Sequence, residues 1–184
     1  DITGAEKLPG ALIEVYDADG NTIYREYTNS KGEIPNIPVV PGTYTFKETY
    51  APSGYALNVA IKTFTVTADG KVTGDTVIRD DLNRVELKKT KDNGEPLPGA
   101  VFGLFDAKDT KIQEVTSKAD GSVLFTKIPY GSYTIRELSA PYGYHPSDKE
   151  WKVDVDGTYV NPTTLLATVE NQPAPGRIKI LKQE

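Results

Sequence analysis

Two glutamates occupy the same position in a motif that the chain contains twice. The stretch "YTFKETYAPSGY" at residues 44–55 returns as "YTIRELSAPYGY" at residues 133–144, with Glu48 and Glu137 in register. Both stretches read as β-strands, in which successive side chains point to opposite faces. Each glutamate therefore shares a face with the aromatic or aliphatic side chains two and four residues before it. Because burying an unpaired charge costs several kcal/mol, such a carboxyl group must pair, become neutral or react.

Three further polar residues end the apolar faces of predicted strands. Lys89 ends that of "RVELKK", Asn171 that of "LLATVEN" and Asp80 that of "VIRD". The second copy of the motif therefore has a lysine, a glutamate and an asparagine at the ends of its first, middle and last strands. The first and last strands of a sandwich can be neighbours, so Lys89 and Asn171 can meet. The alternative is that these groups have solvated heads at strand ends or form an ordinary salt bridge.

The elements that would position these residues belong to an internal repeat. "LPGALIEVYDADG" from Leu8 matches "LPGAVFGLFDAKD" from Leu97, and the two glutamate motifs keep the same offset of 89 residues. Each copy reads as short alternating runs separated by turn signals such as "DADG", "NSKG" and "PGTY". This pattern predicts an all-β chain of two antiparallel β-sandwich domains with about seven strands each. The junction, residues 80–84, is short, so we expect the domains to be arranged end to end.

The composition argues against several classes of site. The 184 residues include no cysteine and one histidine, so we expect no disulfide, no thiolate chemistry and no histidine-rich metal site. The net charge of −5, with both signs interspersed, argues against nucleic acid as a partner. No apolar run approaches the ~20 residues of a membrane span, so none is expected in these residues. We expect neither a metal nor a cofactor.

The order of these motifs resembles a known family. A lysine, then "LPGA", "YGSYTIRELSAPYGY" and a terminal "VEN" are similar to the B-type repeat of Gram-positive collagen adhesins, which also builds the shafts of sortase-assembled pili. The resemblance covers nearly the whole chain and implies Ig-like (prealbumin-like) sandwiches. It divides the chain into a repeat at 1–83 that lacks its first strand and a complete repeat at 84–174. Residues 175–184 would be the opening strand of a further repeat or a strand-donating tail.

The resemblance also implies a spontaneous isopeptide bond in the second repeat. Lys89 would be the nucleophile, Asn171 the acceptor and Glu137 the catalyst. Desolvation favours a neutral lysine amine, which can attack a side-chain carbonyl while a protonated glutamate relays protons and ammonia leaves. Lys88 and Lys91 are nearby alternatives, but Lys88 has the wrong strand parity and Lys91 lies in the following turn.

The first repeat departs from this pattern. It offers Glu48 as the catalyst and Asp80 as the acceptor, with Asp81 and Asn83 as weaker alternatives. Water rather than ammonia would leave an aspartate. The repeat has no first-strand lysine, since Lys7 belongs to the turn that would follow such a strand.

A lysine in the required pattern is found instead in "RIKILK" at residues 177–182, where Lys182 is placed as Lys89 is in "RVELKK". Two interpretations are open. The boundaries of the chain cut a longer array of repeats out of phase, or the 177–182 strand of one molecule completes the first repeat of the next. In the second case Lys182 would bond to Asp80 with Glu48 assisting, linking chains head to tail.

The resemblance implies a mechanical function: a stalk or shaft module of a Gram-positive adhesin or pilus, stabilised by Lys–Asn or Lys–Asp bonds. Its partners would be neighbouring repeats of the same protein. Its location would be the cell-wall surface, with signal and anchor outside these residues. The alternative is an adhesin domain that binds a host extracellular-matrix protein or glycan through tyrosine-rich loops. We do not expect an enzyme, because forming its own bond is a single turnover.

Overall fold

Short strands joined by tight turns make up the part of the chain that the structure describes. This computed structural model describes residues 6–163, 165–176 and 180–182, and these residues form β-strands and no helix. The all-β prediction is confirmed. The predicted opening strand at 177–182 lies partly on residues outside this description, and its remaining residues have no strand assignment.

The first of two compact units is built on a single antiparallel sheet. This unit consists of the residues up to Arg84 together with residues 126–130 and 155–161. Its strands are β1 (Leu12–Tyr16), β2 (Thr22–Tyr27), β3 (Gly42–Tyr50), β4 (Lys62–Val66) and β5 (Val72–Gly74). They pair antiparallel in the order β2-β1-β3-β4-β5. Alternating residues of β1, β3 and β4 supply its core, which consists of Ala11, Ile13, Val15, Tyr44, Phe46, Phe64 and Val66.

The second unit contains two sheets. Its strands are β6 (Arg84–Lys91), β7 (Val101–Phe105), β8 (Lys111–Thr116), β9 (Ser122–Thr126), β10 (Gly131–Ser139), β11 (Glu150–Val155) and β12 (Thr168–Asn171). One sheet has the order β11-β10-β7-β8 and the other the order β12-β6-β9. β7 pairs antiparallel with β8 and β10, whereas β12 runs parallel to β6. The first and last strands of this repeat are therefore neighbours.

The period of β6 determines which of its side chains enter the core. Val85, Leu87 and Lys89 are each 0% exposed, because every second side chain of a strand points to the same face. The turn before β9 approaches β6 closely, and the carbonyl of Gly121 accepts a hydrogen bond from Lys89 N at 2.7 Å. Gly121 has φ +79, and a Cβ there would lie 2.3 Å from Lys89 O. Only glycine allows this approach.

The first unit has fewer strands than the expected seven, and the difference has a physical reason. Among residues 6–84 no strand corresponds to β6, and the segments that correspond to β9 and β12, residues 33–37 and 77–80, have no strand assignment. In the second unit β9 and β12 both hydrogen bond to β6. Without that central partner, the backbone groups of 33–37 and 77–80 have no ladder to join.

Candidate functional site

Three polar side chains of the second unit meet in its interior. Lys89 Nζ donates to Glu137 Oε2 at 3.1 Å and also to Asn171 Oδ1. Asn171 Nδ2 donates to Glu137 Oε1 at 2.9 Å. Lys89 is 0% exposed, Asn171 1% and Glu137 8%, so none of the three heads is solvated. The alternation along the strands therefore predicted the inward direction of all three correctly.

The parallel pairing of β6 and β12 brings Lys89 close to Asn171. The register of β6 and β12 places Lys89 opposite Val169, and Asn171 lies two residues further along β12. A strand rises about 3.3 Å per residue, so the long lysine side chain spans this offset along the face of the sheet. Glu137 comes from β10 in the other sheet. The cluster thus joins both sheets of the unit.

Burial controls the charge of Lys89. Its removal from water lowers the pKa of Lys89, while the adjacent Glu137 opposes this shift by stabilising the ammonium form. The ring of Phe102 lies 5.9 Å from Nζ and contributes to the apolar surroundings. The lysine therefore has access to its neutral, nucleophilic form while Nζ lies against the carboxamide of Asn171. This arrangement can form an amide bond between the two side chains.

The neighbouring lysines have other partners. Lys88 lies on the opposite face of β6, where Nζ donates to the carbonyl of Asp120. Lys91 is the last residue of β6 and does not lie in the following turn as predicted, and its Nζ pairs with Glu95 Oε2 at 2.8 Å. Neither lysine reaches the buried cluster, in agreement with the preference for Lys89.

A backbone amide binds each of the two repeated glutamates, a contact that sequence reasoning missed. Ser147 N donates to Glu137 Oε2 at 2.9 Å, and Asn58 N donates to Glu48 Oε2 at 2.9 Å. Each donor lies 10 residues after its glutamate. A main-chain N–H has no side-chain signature, so the constant spacing in the two copies is the only signal that the sequence contains.

In the first unit, Glu48 adjoins a second carboxyl group. Glu48 is 2% exposed, and its carboxyl group lies beside that of Asp80. Glu48 Oε1 and Asp80 Oδ1 are buried and have no hydrogen-bond partner among the described residues. Burial, reinforced by the charge of Asp80, raises the pKa of Glu48 to about 8. Burial also raises the pKa of Asp80.

Backbone bridges establish which residue of the first unit corresponds to Asn171. The motif tyrosine of each repeat bridges to a residue near the end of that repeat, in the pairs Tyr55–Leu82 and Tyr144–Pro173. Asn171 lies two residues before the second bridge, and Asp80 lies two residues before the first. This register favours Asp80 as the counterpart of Asn171.

The two weaker candidates have other environments. Asp81 is exposed, and its carbonyl accepts a hydrogen bond from Ala56 N at 2.9 Å. Asn83 is buried, but its side chain binds the backbone N–H and carbonyl of Ile128, within the same compact unit, at 2.7 and 2.8 Å. The geometry therefore gives neither residue the position beside Glu48.

A cavity of about 1030 Å³ opens beside the two carboxyl groups of the first unit. Its lining includes both carboxyl residues and the apolar side chains of Ile13, Val15, Ile34, Ile37, Phe46 and Ile78. Lys7 and Lys127 also line it, but both are exposed and neither satisfies the two carboxyl oxygens. Lys182 is exposed and lies outside this lining. The lining of the cavity thus combines apolar side chains with the carboxyl groups of Glu48 and Asp80.

The described residues contain no group of three or more histidine, cysteine, aspartate or glutamate side chains arranged to hold a metal ion. Within the same residues, no helix is long and apolar enough to cross a membrane. The loop tyrosines Tyr55 and Tyr144 are partly buried and form the bridges described above, whereas Tyr142 is fully exposed. The two repeated tyrosines therefore have a packing role.

One family model matches each copy of the internal repeat separately. The sequence profile described as "SpaA: Prealbumin-like fold domain" matches residues 1–80 and 83–168. The trypsin-resistant surface T6 protein of Streptococcus pyogenes is 36% identical over 58 residues, which are 32% of this chain and 11% of that protein. The chain thus spans about a tenth of the length of this curated relative.

Three solved structures are similar to the chain with TM-scores below 0.5. The Bacillus anthracis TIE protein is 25% identical, with a TM-score of 0.46 over 92% of this chain and 32% of that chain. The shaft pilin spaA of Lactobacillus rhamnosus GG is 16% identical, with a TM-score of 0.42 over 96% of this chain and 92% of that chain. The C-terminal fragment of the pilus adhesin SpaC from the same organism is 17% identical, with a TM-score of 0.41 over 95% of this chain and 91% of that chain.

Proposed function

Because the chain belongs to the SpaA prealbumin-like fold domain family, we propose that it is a structural shaft or stalk module whose second unit is locked by an isopeptide bond between Lys89 and Asn171. The observation that carries the proposal is the buried cluster in which Lys89 Nζ contacts both Glu137 and the Asn171 carboxamide. An ordinary buried ion pair is weak evidence for stability, because the cost of desolvation can exceed the Coulombic gain. An amide bond between Lys89 and Asn171 would remove the charge of the lysine and with it the cost of burying that charge.

The bond forms by attack of neutral Lys89 Nζ on Cγ of Asn171. The new C–N bond replaces the bond from Cγ to Nδ2, and the former amide nitrogen leaves as ammonia. Glu137 contacts both nitrogens, so it can take a proton from Nζ and deliver one to the leaving group. The product is a neutral amide, and Glu137 is regenerated.

The position of the bond suits a load-bearing module. β6 and β12 are the first and last strands of the repeat and are hydrogen-bonded neighbours, so an amide between them prevents either from being peeled from the sheet. The bond would close a loop of 82 residues. By analogy with a disulfide that closes such a loop, restricting the unfolded chain contributes about 4.5 kcal/mol. The chain has no cysteine with which to form a disulfide.

The family and the surface relative support an extracellular location on a Gram-positive cell, anchored through segments outside these residues. The partners in this function are other modules of the same shaft, including head-to-tail contact through residues 177–182. The bond forms once per molecule, so the proposed function is structural and not enzymatic. The packing of Tyr55 and Tyr144 favours this function over recognition of a host matrix ligand.

Intact-mass spectrometry of the purified protein tests the proposal. The wild-type chain should be lighter than its sequence by one ammonia. Lys89→Met should have the unmodified mass, because it fills a similar volume without an amine. Lys88→Met is the matched control, since it removes the neighbouring lysine from the opposite face of β6 and should retain the ammonia loss. A wild-type protein of unmodified mass would overturn the proposed function.

A further inference from the structure

The loop between β10 and β11, residues 140–149, contributes no side chain to the buried cluster, but its main chain contacts two of the elements that carry it. Ser147 N donates to Glu137 Oε2 at 2.9 Å. His145 N donates at 3.1 Å to the carbonyl of Gln172, the residue that follows Asn171 at the end of β12. The loop therefore binds the glutamate at one point and the end of the acceptor strand at another.

The same pair of contacts occurs in the first unit. Asn58 N donates to Glu48 Oε2 at 2.9 Å. Ala56 N donates at 2.9 Å to the carbonyl of Asp81, the residue that follows Asp80. The two donors are again two residues apart, and they are alanine and asparagine where the second unit has histidine and serine. Two different sequences thus produce one main-chain geometry, so the contacts do not depend on the side chains at these positions.

We propose that residues 145–147 are a positioning element for the amide bond of the second unit. Two main-chain N–H groups of this segment set the distance between the catalyst, Glu137, and the acceptor, Asn171. The proposal rests on the proposed function, because it assigns a role in that same reaction. His145 and Ser147 are positioning residues, since each acts through a residue that it contacts and neither supplies a group to the reaction.

The spacing of the two donors suits this role. In an extended chain the N–H groups of residues i and i+2 point to the same side and lie about 6.6 Å apart. The segment is also held in register along the end of the acceptor strand. Tyr144 forms a backbone bridge with Pro173, and Ala174 N donates to the carbonyl of Gly143 at 2.7 Å. These contacts, together with that of His145, prevent the loop from sliding along residues 172–174.

The contact with Ser147 determines how the carboxyl group of Glu137 is turned. Oε2 accepts from both Ser147 N and Lys89 Nζ, at 2.9 and 3.1 Å. Oε1 is thereby directed at Asn171 Nδ2, the nitrogen that would leave, from which it accepts at 2.9 Å. A glutamate side chain has several rotatable bonds, so without this N–H its carboxyl group would sample other orientations. Anchoring it keeps both oxygens at the atoms between which protons must move.

Replacement of single main-chain amides by esters tests the proposal in the full chain. Ser147→Ala keeps the N–H group and should lose ammonia at the rate of the wild type. Lactic acid introduced at position 147 by nonsense suppression has the same side chain as alanine but forms an ester, which has no N–H group. We expect the ester to lose ammonia roughly 10- to 100-fold more slowly than Ser147→Ala, because a displacement of reacting groups by about 1 Å can cost this much in rate. His145→Ala and lactic acid at position 145 form a second pair, for which we expect the same difference.

The rate is measured on newly made protein. Translation in a cell-free system is stopped, samples are quenched in acid at intervals, and intact-mass spectrometry gives the fraction that has lost ammonia. Circular dichroism identifies a temperature at which every variant is folded, and the rates are compared there. A loop that only stabilised the fold would lower the Tm of the esters without changing their rates in the folded state.

A third ester is the matched control. Lys149 N donates to Ser147 Oγ at 3.3 Å and not to the buried cluster. Lactic acid at position 149 should therefore lose ammonia at the same rate as Lys149→Ala. A reduced rate for this ester would overturn the proposal, because the effect would then belong to any ester in the loop.

The remaining outcomes separate this proposal from the proposed function. If the wild type loses ammonia and the ester at position 147 or 145 reacts as fast as its alanine partner, the two-point positioning element is overturned and the proposed function stays intact. A folded wild-type chain that never loses ammonia overturns the proposed function itself.

Discussion

Glu137 connects the geometry of the second unit to its chemistry, and Glu137→Gln tests that connection most directly. The substitution keeps the shape of the side chain and an oxygen that can accept from Ser147 N. It removes the ability to carry a proton between Lys89 and Asn171. We therefore expect a folded protein that retains the ammonia, so that its mass lacks the modification of the wild type.

The expected loss of stability follows from the size of the closed loop. Without the bond, the unfolded chain regains the freedom of an 82-residue loop, which corresponds to about 4.5 kcal/mol. A change of 1 kcal/mol shifts the Tm of a domain of this size by roughly 4–8 °C. The transition of the second unit in differential scanning calorimetry should therefore fall by about 20–35 °C. Glu170→Gln is the control, because this exposed glutamate lies next to Asn171 on β12.

The opposite result would refute the proton-relay argument specifically. Glu137 stabilises the ammonium form of Lys89 against desolvation, so its removal makes the neutral amine more accessible. If the neutral amine were the only requirement, Glu137→Gln would link as completely as the wild type, or faster. Complete loss of ammonia in this variant would show that Glu137 is not needed to move protons.

Three further predictions concern the acceptor, the first unit and the turn against β6. Asn171→Asp should still link, releasing water in place of ammonia, and its product should have the same mass as the linked wild type; an unlinked protein would contradict the assigned acceptor. In the first unit, Glu48 has a pKa of about 8 when folded against a usual 4.5, so its contribution to stability is complete below pH 4.5 and is lost as the pH rises through 8. Calorimetry of the first unit from pH 5 to about 9 should show this decline, and Glu48→Gln should abolish it; a flat wild-type profile would count against the carboxyl pair. Gly121→Ala places a Cβ 2.3 Å from Lys89 O and should lower the free energy of unfolding by more than about 1 kcal/mol. Intact-mass spectrometry should then show that part of the protein has no link between Lys89 and Asn171. Gly94→Ala, at φ +83 with nothing within 4 Å, should retain the full link, and equal effects of the two substitutions would refute the steric argument.

Strand periodicity predicted that Lys89, Glu137 and Asn171 share a face with apolar neighbours, but it left open solvated heads at the strand ends. A period of two residues orients every side chain of β6 and β10, so a lysine or glutamate in register with apolar neighbours must enter the core. The sequence could not choose among Asp80, Asp81 and Asn83, because the two copies differ by an insertion between the glutamate motif and the end of the repeat. The backbone bridges give Asp80 the register of Asn171, since they depend on hydrogen bonding and not on residue type.

The strand count of the first unit was wrong for a related reason. Residues 33–37 contain apolar side chains in a strand-like setting, and their local pattern does not show whether they pair with another strand. Backbone pairing is a property of two segments, so neither segment contains the information alone.

The two buried glutamates differ in their partners. In the second unit Lys89 and Asn171 belong to one folded unit, so folding itself sets a high effective concentration and the proposed reaction should be first order. In the first unit Glu48 lies beside the carboxyl group of Asp80, and burial raises the pKa of both groups. These shifts favour the neutral forms, which lowers the cost of burying two carboxyl groups side by side.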